Sequence, residues 1–397
     1  MNAADIRVGT VLLDSPRTLV GERAADVAPQ VVRAAAPTTA PRVILVAGSG
    51  FEHRVWADPL LAAFRGFPLR TVVHAGLPTP ESVARLAREI RAHRADVVVT
   101  VGGGSVMDAG KAAAALSITD PTPDAVVLAC ARETDAPGAP PVVALPTTPG
   151  TGAEATPFAT IWHRARGRKL SLRGAALRPV AAVLDPDLLL GLPAPTLLSC
   201  LLDTLAQGIE GAWSIRADAR SQELGAAAWA QLAEVLEQRD GDLSAAHRRA
   251  ALLAGHLAGR AIAIAGTTVC HAMSYPLTLH YGLAHGHACG LTLAAVLRYN
   301  AAVGADCADP RGPGRVRAAI AEVVRSAGAD SVEELAAKVQ ALVRSPALPP
   351  APRLRHEASR IATEALAYDR AGNNPRHVDV AALTQLLAGS AERDHAR

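Results

Sequence analysis

Residues 270–290, CHAMSYPLTLHYGLAHGHACG, carry four histidines, and residues 203–211, DTLAQGIEG, carry an acid and an amide four positions apart. Asp203 and Gln207 share one face of a helix, with Glu210 on roughly the same side. His271 and Tyr275 repeat that spacing, and His285 and His287 follow a Gly-Leu-Ala break. One carboxylate and two imidazoles from separate helices suit a divalent ion, Fe²⁺ or Zn²⁺, with no need of a thiolate. Three protein ligands leave a position for a substrate oxygen. Taken singly, each histidine is an ordinary core or surface residue; clustered beside a buried acid, they read as a metal centre. His256 and His280 are left outside the set.

A second chemistry is carried by TVGGGSVMDAGKAAA (100–114), which follows an apolar run and opens a helix. Gly102, Gly103 and Gly104 let backbone approach a ligand closely, and Ser105 reads as the helix N-cap with free N–H groups just beyond it. A pyrophosphate is stabilised at such a terminus. Asp108, one turn in, suits a helix N-terminus in any case. The spacing fits neither the P-loop nor the Gly-x-Gly-x-x-Gly fingerprint, and a tight turn without a ligand has the same signature. A later loop, LPTTPGTGAEATPF (145–158), adds the hydroxyls of Thr147, Thr148 and Thr151. Polar loops at successive carboxyl ends of parallel strands are where open α/β sheets bind dinucleotides.

The elements that must position these groups fall into two halves. RVILVAG (42–48), LRTVVHAG (69–76), DVVVTVGGGS (96–105) and PPVVALPTTPGTG (140–152) are apolar runs separated by helical patterns. That alternation predicts an α/β domain with a parallel sheet over 1–192. Residues 158–185 read as a hairpin with a basic turn. From about Leu197 the chain is helix after helix, so 193–397 is expected to be an all-helical domain; SPALPPAPRLR (345–355) reads as a helix–helix loop. A chain of 397 residues, half of them apolar and with a net charge of +3, is globular. The small, dispersed charge and the absence of basic–aromatic interleaving argue against nucleic acid. No apolar run is long enough for a membrane span, and the opening residues lack a signal layout, so a cytoplasmic location is expected. Five cysteines without a CxxC pair read as reduced thiols; Cys270 and Cys289 are taken as small buried apolar residues.

These motifs, in this order, make the chain resemble the iron-containing, or group III, metal-dependent alcohol dehydrogenases; VLDPDLLLGLP (183–193) and GNNPR (372–376) extend the likeness. The resemblance implies a dehydroquinate synthase-like architecture, with the active site in a cleft between a dinucleotide domain and a helical domain. It implies that Gly103, Gly104, Ser105 and Asp108 serve the pyrophosphate end, and that Thr147, Thr148, Thr151 and Lys169 lie along an NAD(P)H cofactor. It implies metal binding by Asp203, His271 and His285. Three departures stand out. Gln207 and Tyr275 occupy places where the family usually has His, so Gln207 becomes a fourth ligand or only a hydrogen bonder, and proton delivery passes to Tyr275 or His287. Gly48 stands where an acid often meets the adenosine ribose, which puts NADPH on the same footing as NADH. The implied activity is reduction of an aldehyde to a primary alcohol by a homodimer. FATIW, KLSL and SYPLTLHYGLAHGHACGLTL lean toward reductases of phosphonate-bearing aldehydes. A dianionic group needs cationic partners, with Arg164, Arg166, Arg168, Lys169 and Arg376 as candidates by charge. A general short-chain aldehyde reductase, a cyclising lyase and a nucleotide-binding protein with an eroded metal site are the rivals.

Overall fold

The structure, a computed structural model, describes residues 10–12, 16–237, 243–352, 354 and 356–392. Part of the opening stretch and residues 353 and 355 of the Pro-rich loop lie outside them. The chain divides into two compact units. The first runs to Leu192 and also takes Leu243–His256; the second begins at Pro193 and resumes at Leu257.

In the first unit the strands are β1 (Thr10–Leu12), β2 (Arg17–Val20), β3 (Val43–Gly48), β4 (Leu69–His74), β5 (Val97–Gly102), β6 (Val142–Pro146), β7 (Phe158–His163), β8 (Arg168–Arg173) and β9 (Ala181–Leu184). Its helices are α1 (Ala24–Ala35), α2 (Ala57–Ala63), α3 (Pro80–His93), α4 (Gly104–Leu116) and α5 (Pro123–Ala129). Seven strands form one sheet in the order β1-β2-β9-β6-β5-β3-β4; β1 is antiparallel to β2 and the remaining pairs are parallel. β7 and β8 form a separate antiparallel hairpin.

The central strands read as unbroken apolar runs because both faces are covered. Val43, Leu45 and Ala47 of β3 join the cluster with α1 and α2, whereas Ile44 and Val46 join that with α3 and α4. α3 starts with a reciprocal cap: Thr79 Oγ1 accepts from Ser82 N, and Ser82 Oγ accepts from Thr79 N. α4 lies hard against β5, since a Cβ on Gly110 would fall 2.3 Å from Thr100 Cγ2. β3 has β4 on one side and β5 on the other, so the strand order reverses there and the crevice at their carboxyl ends is the dinucleotide position of open α/β sheets.

Leu243–His256 was expected with the helical half but counts with the α/β unit, for identifiable reasons. His256 Nε2 lies 3.2 Å from Thr18 Oγ1, and Arg248 donates to Pro186 O at 3.0 Å and to Asp187 Oδ1 at 3.1 Å. A Cβ on Gly255 would sit 3.0 Å from the Pro149 carbonyl carbon, so this segment runs against the threonine loop.

The second unit is helical: α6 (Ala194–Trp213), α7 (Ala219–Glu237), the end of α8 (Ala245–Ala265), α9 (Val269–Tyr281), α10 (His285–Ala301), α11 (Pro313–Ser326), α12 (Val332–Val343), α13 (Ala358–Leu366) and α14 (Val380–Glu392). α6 is buried along nearly its whole length; Leu201, Leu202, Leu205 and Ile209 are inaccessible, and each stabilises the unit by about 1.5–3 kcal/mol. α10 packs on α6 through Gly286 and Gly290, where a Cβ would meet Ser199 O at 1.9 Å and Leu202 Cδ2 at 2.9 Å. Among the described residues no single helix is long and apolar enough to cross a membrane.

Candidate metal centre and nucleotide loops

Three helices of the second unit build one buried group of donors. α6 carries Asp203, Gln207 and Glu210, α9 carries His271 and Tyr275, and α10 carries His285 and Cys289. Glu210, fully buried, accepts from the backbone N–H groups of Thr268 and Cys270, each at 3.0 Å, and from the Thr268 hydroxyl. Its other oxygen takes a short hydrogen bond from His271 Nδ1. Ser274 Oγ donates its one proton to His271 O at 2.7 Å, so at its 3.2 Å contact with His285 Nδ1 the imidazole is the donor. Both rings are therefore held with Nδ1 protonated and Nε2 facing inward, the state a metal-ligating histidine needs.

The inward atoms converge. His271 Nε2 and His285 Nε2 lie 3.3 and 3.9 Å from Asp203 Oδ1, and Cys289 Sγ lies 3.9 Å from His285 Nε2. One donor atom from each of Asp203, His271, His285 and Cys289 falls within 4.8 Å of every other. Tetrahedral ligands of a zinc-sized ion sit roughly 3.3–3.6 Å apart, so sub-ångström shifts would close the shell. Asp203 Oδ1, Gln207 Oε1 and His271 Nε2 are buried without a hydrogen-bond partner. Buried groups left so cost about 1–3 kcal/mol each, and a divalent cation among the converging donors would satisfy Asp203 Oδ1 and His271 Nε2. The residues present fit a metal ion.

Electrostatics agree. Burial pushes the Asp203 and Glu210 carboxyls up, but His285 beside the first and His271 beside the second outweigh it and hold both below their ordinary values. Burial raises the Cys289 thiol too, and the two imidazoles more than offset that. Burial lowers His271, while Cys289 and Glu210 lift it well above the usual histidine range. The group is arranged to hold positive charge.

Cys289 is the donor that sequence reading missed. From sequence it reads as a small apolar residue beside a site that needs no thiolate. Its position one turn after His285 on the same helix was the available signal. Cys270, by contrast, stays outside the donor group. Gln207 hydrogen-bonds Asp203 through its side chain. Tyr275 stacks on His285, with ring centroids 5.9 Å apart and planes within 8°, and burial raises its phenol. His287 is fully buried with neither ring nitrogen hydrogen-bonded, burial lowers its pKa, and it is not in the donor group.

In the first unit the glycine and threonine loops interlock. Thr147 N donates to Gly102 O at 3.0 Å. A Cβ on Gly103 would meet Thr148 Oγ1 at 3.0 Å, and one on Gly104 would meet Thr151 Oγ1 at 2.4 Å. The missing side chains thus make room for the threonines. Ser105 is not the N-cap: Gly103, in extended conformation at φ −77°, ψ −175°, holds that place, so the helix starts two residues earlier and Ser105 lies within its first turn. Glycine is among the residues favoured at an N-cap. Asp108 turns inward, accepting from Thr160 N at 2.8 Å and pairing with the buried Lys111 at 3.1 Å. Lys111 in turn donates to Ala153 O at 2.8 Å and Phe158 O at 2.6 Å, tying the threonine loop down. Lys169 is buried on β8 and donates to Ser171 Oγ at 2.6 Å.

Residues 15–186 match the model of the iron-containing alcohol dehydrogenases, and residues 198–391 match that family's C-terminal model. The chain belongs to the iron-containing alcohol dehydrogenase family. It is accordingly an oxidoreductase that works with NAD(P)H and a divalent metal. Among its relatives is the phosphonoacetaldehyde reductase of Streptomyces viridochromogenes, 50% identical over 89% of this chain and 91% of that protein. A sulfoacetaldehyde reductase from Bifidobacterium kashiwanohense, solved with NAD⁺, superposes with a TM-score of 0.81 at 26% identity over 96% of this dehydrogenase and 99% of its own chain. An iron-containing alcohol dehydrogenase of Thermotoga maritima shares the fold, with a TM-score of 0.81 over 96% and 100% of the two chains at 23% identity.

Proposed function

We propose that this dehydrogenase reduces phosphonoacetaldehyde to 2-hydroxyethylphosphonate with NAD(P)H, in phosphonate biosynthesis, as a cytoplasmic homodimer without nucleic-acid or membrane partners. The observation that carries the chemistry is the convergence of donor atoms from Asp203, His271 and His285, with Asp203 Oδ1 and His271 Nε2 lacking a hydrogen-bond partner. The substrate rests on 50% identity to a reductase of that name across nearly its whole length.

A divalent ion held by Asp203, His271, His285 and Cys289 supplies Lewis acidity to the carbonyl oxygen, and the nicotinamide supplies hydride. The chain's own residues do the rest. Glu210 and Ser274 hold the ligand rings in the required tautomer. The Gly103–Ser105 turn offers N–H groups to the pyrophosphate, and Thr147, Thr148, Thr151 and Lys169 line the cofactor's path. Asp108 acts through Lys111, by anchoring the loop. The new alkoxide needs a proton, and the Tyr275 hydroxyl, kept protonated by burial, is better placed to provide it than His287, because its ring lies on His285. Gly48 ends β3 without a carboxylate, so a 2′-phosphate meets no repulsion there and both NADH and NADPH serve.

An eroded metal site is disfavoured because Cys289 offers a donor where Gln207 replaces an imidazole. The test is turnover of phosphonoacetaldehyde against butanal with each cofactor, after reconstitution with Fe²⁺ or Zn²⁺. Asp203→Ala and His285→Ala should abolish turnover while NAD(P)H still binds. Full activity in metal-stripped Asp203→Ala would overturn the mechanism; preference for butanal would overturn the substrate.

A further inference from the structure

We propose that Arg370 recognises the anionic headgroup of the substrate, an inference that rests on the aldehyde-reductase reading and assigns its specificity. An aldehyde whose anion sits on the neighbouring carbon needs a cation close to the metal but not on it. The cations first considered are either committed elsewhere or exposed on the hairpin turn. Arg376 binds Asp306 at 2.7 Å and Tyr299 O at 2.6 Å and lies over the Tyr299 ring. Lys169 is bound to Ser171, and Arg164, Arg166 and Arg168 are exposed at the hairpin turn.

Arg370 is placed differently. It lies in a 3-10 turn, Asp369–Asn373, that packs against α9, the helix bearing His271. Tyr368, at the start of that turn, meets Tyr275 edge-on at 4.8 Å, and Tyr275 stacks on the ligand His285. From the other side, Arg370 Nη1 donates to Thr267 Oγ1 at 2.9 Å, and Asn373 Nδ2 donates to Thr267 O at 3.0 Å. Thr267 immediately precedes Thr268, whose N–H and hydroxyl hold Glu210 and through it His271. The guanidinium is thus fixed to the same short strap that orients a metal ligand. Gly266, with φ +68°, closes the strap, and a Cβ on it would lie 3.7 Å from Arg216 Nη1, so a second guanidinium overlies the same backbone. Two guanidinium groups suit a tetrahedral dianion, which each can bind through paired N–H groups.

The experiment compares Arg370→Ala, Arg370→Lys and Arg216→Ala with wild type in the metal-loaded enzyme, using phosphonoacetaldehyde and butanal as substrates and methylphosphonate as a competitive inhibitor of butanal reduction. Arg370→Ala should raise KM for phosphonoacetaldehyde and weaken methylphosphonate about 10- to 100-fold, the loss expected for a charge-assisted hydrogen bond. Its kcat/KM for butanal should fall less, so that the preference for phosphonoacetaldehyde over butanal drops at least about tenfold. Arg370→Lys should recover part of the loss, and Arg216→Ala should show a smaller one. Equal losses on both aldehydes, or unchanged inhibition by methylphosphonate, would overturn the assignment. The inhibition arm reads anion binding even if wild type prefers butanal, so failure of the substrate reading is seen separately.

Discussion

Glu210 accepts the Nδ1–H of His271 from inside a fully buried site, and that contact aims His271 Nε2 at Asp203 Oδ1, 3.3 Å away. Glu210→Gln keeps the shape but removes the charge that strengthens this bond. Metal affinity, measured by chelator competition, should fall about 10- to 100-fold. Glu210→Ala should also destabilise the fold by about 3–5 kcal/mol, because it strips the partner from a buried imidazole and two backbone N–H groups; denaturant titration reads this directly.

Cys289 is expected to bind metal as thiolate. Co²⁺-substituted wild type should show a thiolate-to-cobalt charge-transfer band in the near ultraviolet. Cys289→Ser should lose that band while keeping the visible d–d absorption. Gln207→His in the Cys289→Ser background should recover affinity by returning an imidazole from α6. Wild type lacking the charge-transfer band would exclude Cys289 from the shell.

Gly286 bears on both stability and metal binding. A Cβ there would sit 1.9 Å from Ser199 O and 2.8 Å from Asp203 Cβ. Gly286→Ala must push α10 off α6, at a cost of about 2 kcal/mol or more, and carry His285 out of register. Lower melting temperature together with lost metal is the expected pair of results. Gly389, in α14 with open space around its Cα, is the control: Gly389→Ala should stabilise by about 0.5–1 kcal/mol.

His74 gives the α/β unit an acid sensitivity. It is 1% exposed; burial first, then the charge of Arg85, lowers its pKa below 6.5 against a smaller opposing effect of the Gly76 backbone. The folded state therefore prefers the neutral ring, while the unfolded chain takes up a proton as pH falls through 6.5. Its contribution to stability is complete above that pH and declines below it by up to about 1.4 kcal/mol per unit, until the folded ring also protonates. Relative to wild type, His74→Asn should flatten the stability profile between pH 6.5 and 5, as read from urea midpoints. Parallel profiles would exclude the effect.

Periodicity and residue spacing were enough to read the parallel α/β half, the helical half, and Asp203, His271 and His285 as one set of donors. Each of those signals is local. An apolar run buried on two faces, or side chains one turn apart on a helix, leaves its mark within a few residues of chain. Packing between distant elements decided the rest. Cys289 becomes a donor only because Gly286 and Gly290 let α10 close on α6. Gly103 rather than Ser105 caps α4, and Thr148 and Thr151 fill the space beside the glycine turn. Leu243–His256 counts with the α/β unit through contacts to Thr18, Pro186 and Asp187. Arg370 reaches the strap beside His271 across about a hundred residues of sequence. Such meetings depend on where helices stop and how closely backbones approach, and those distances are set by the assembled core rather than by any one stretch of chain.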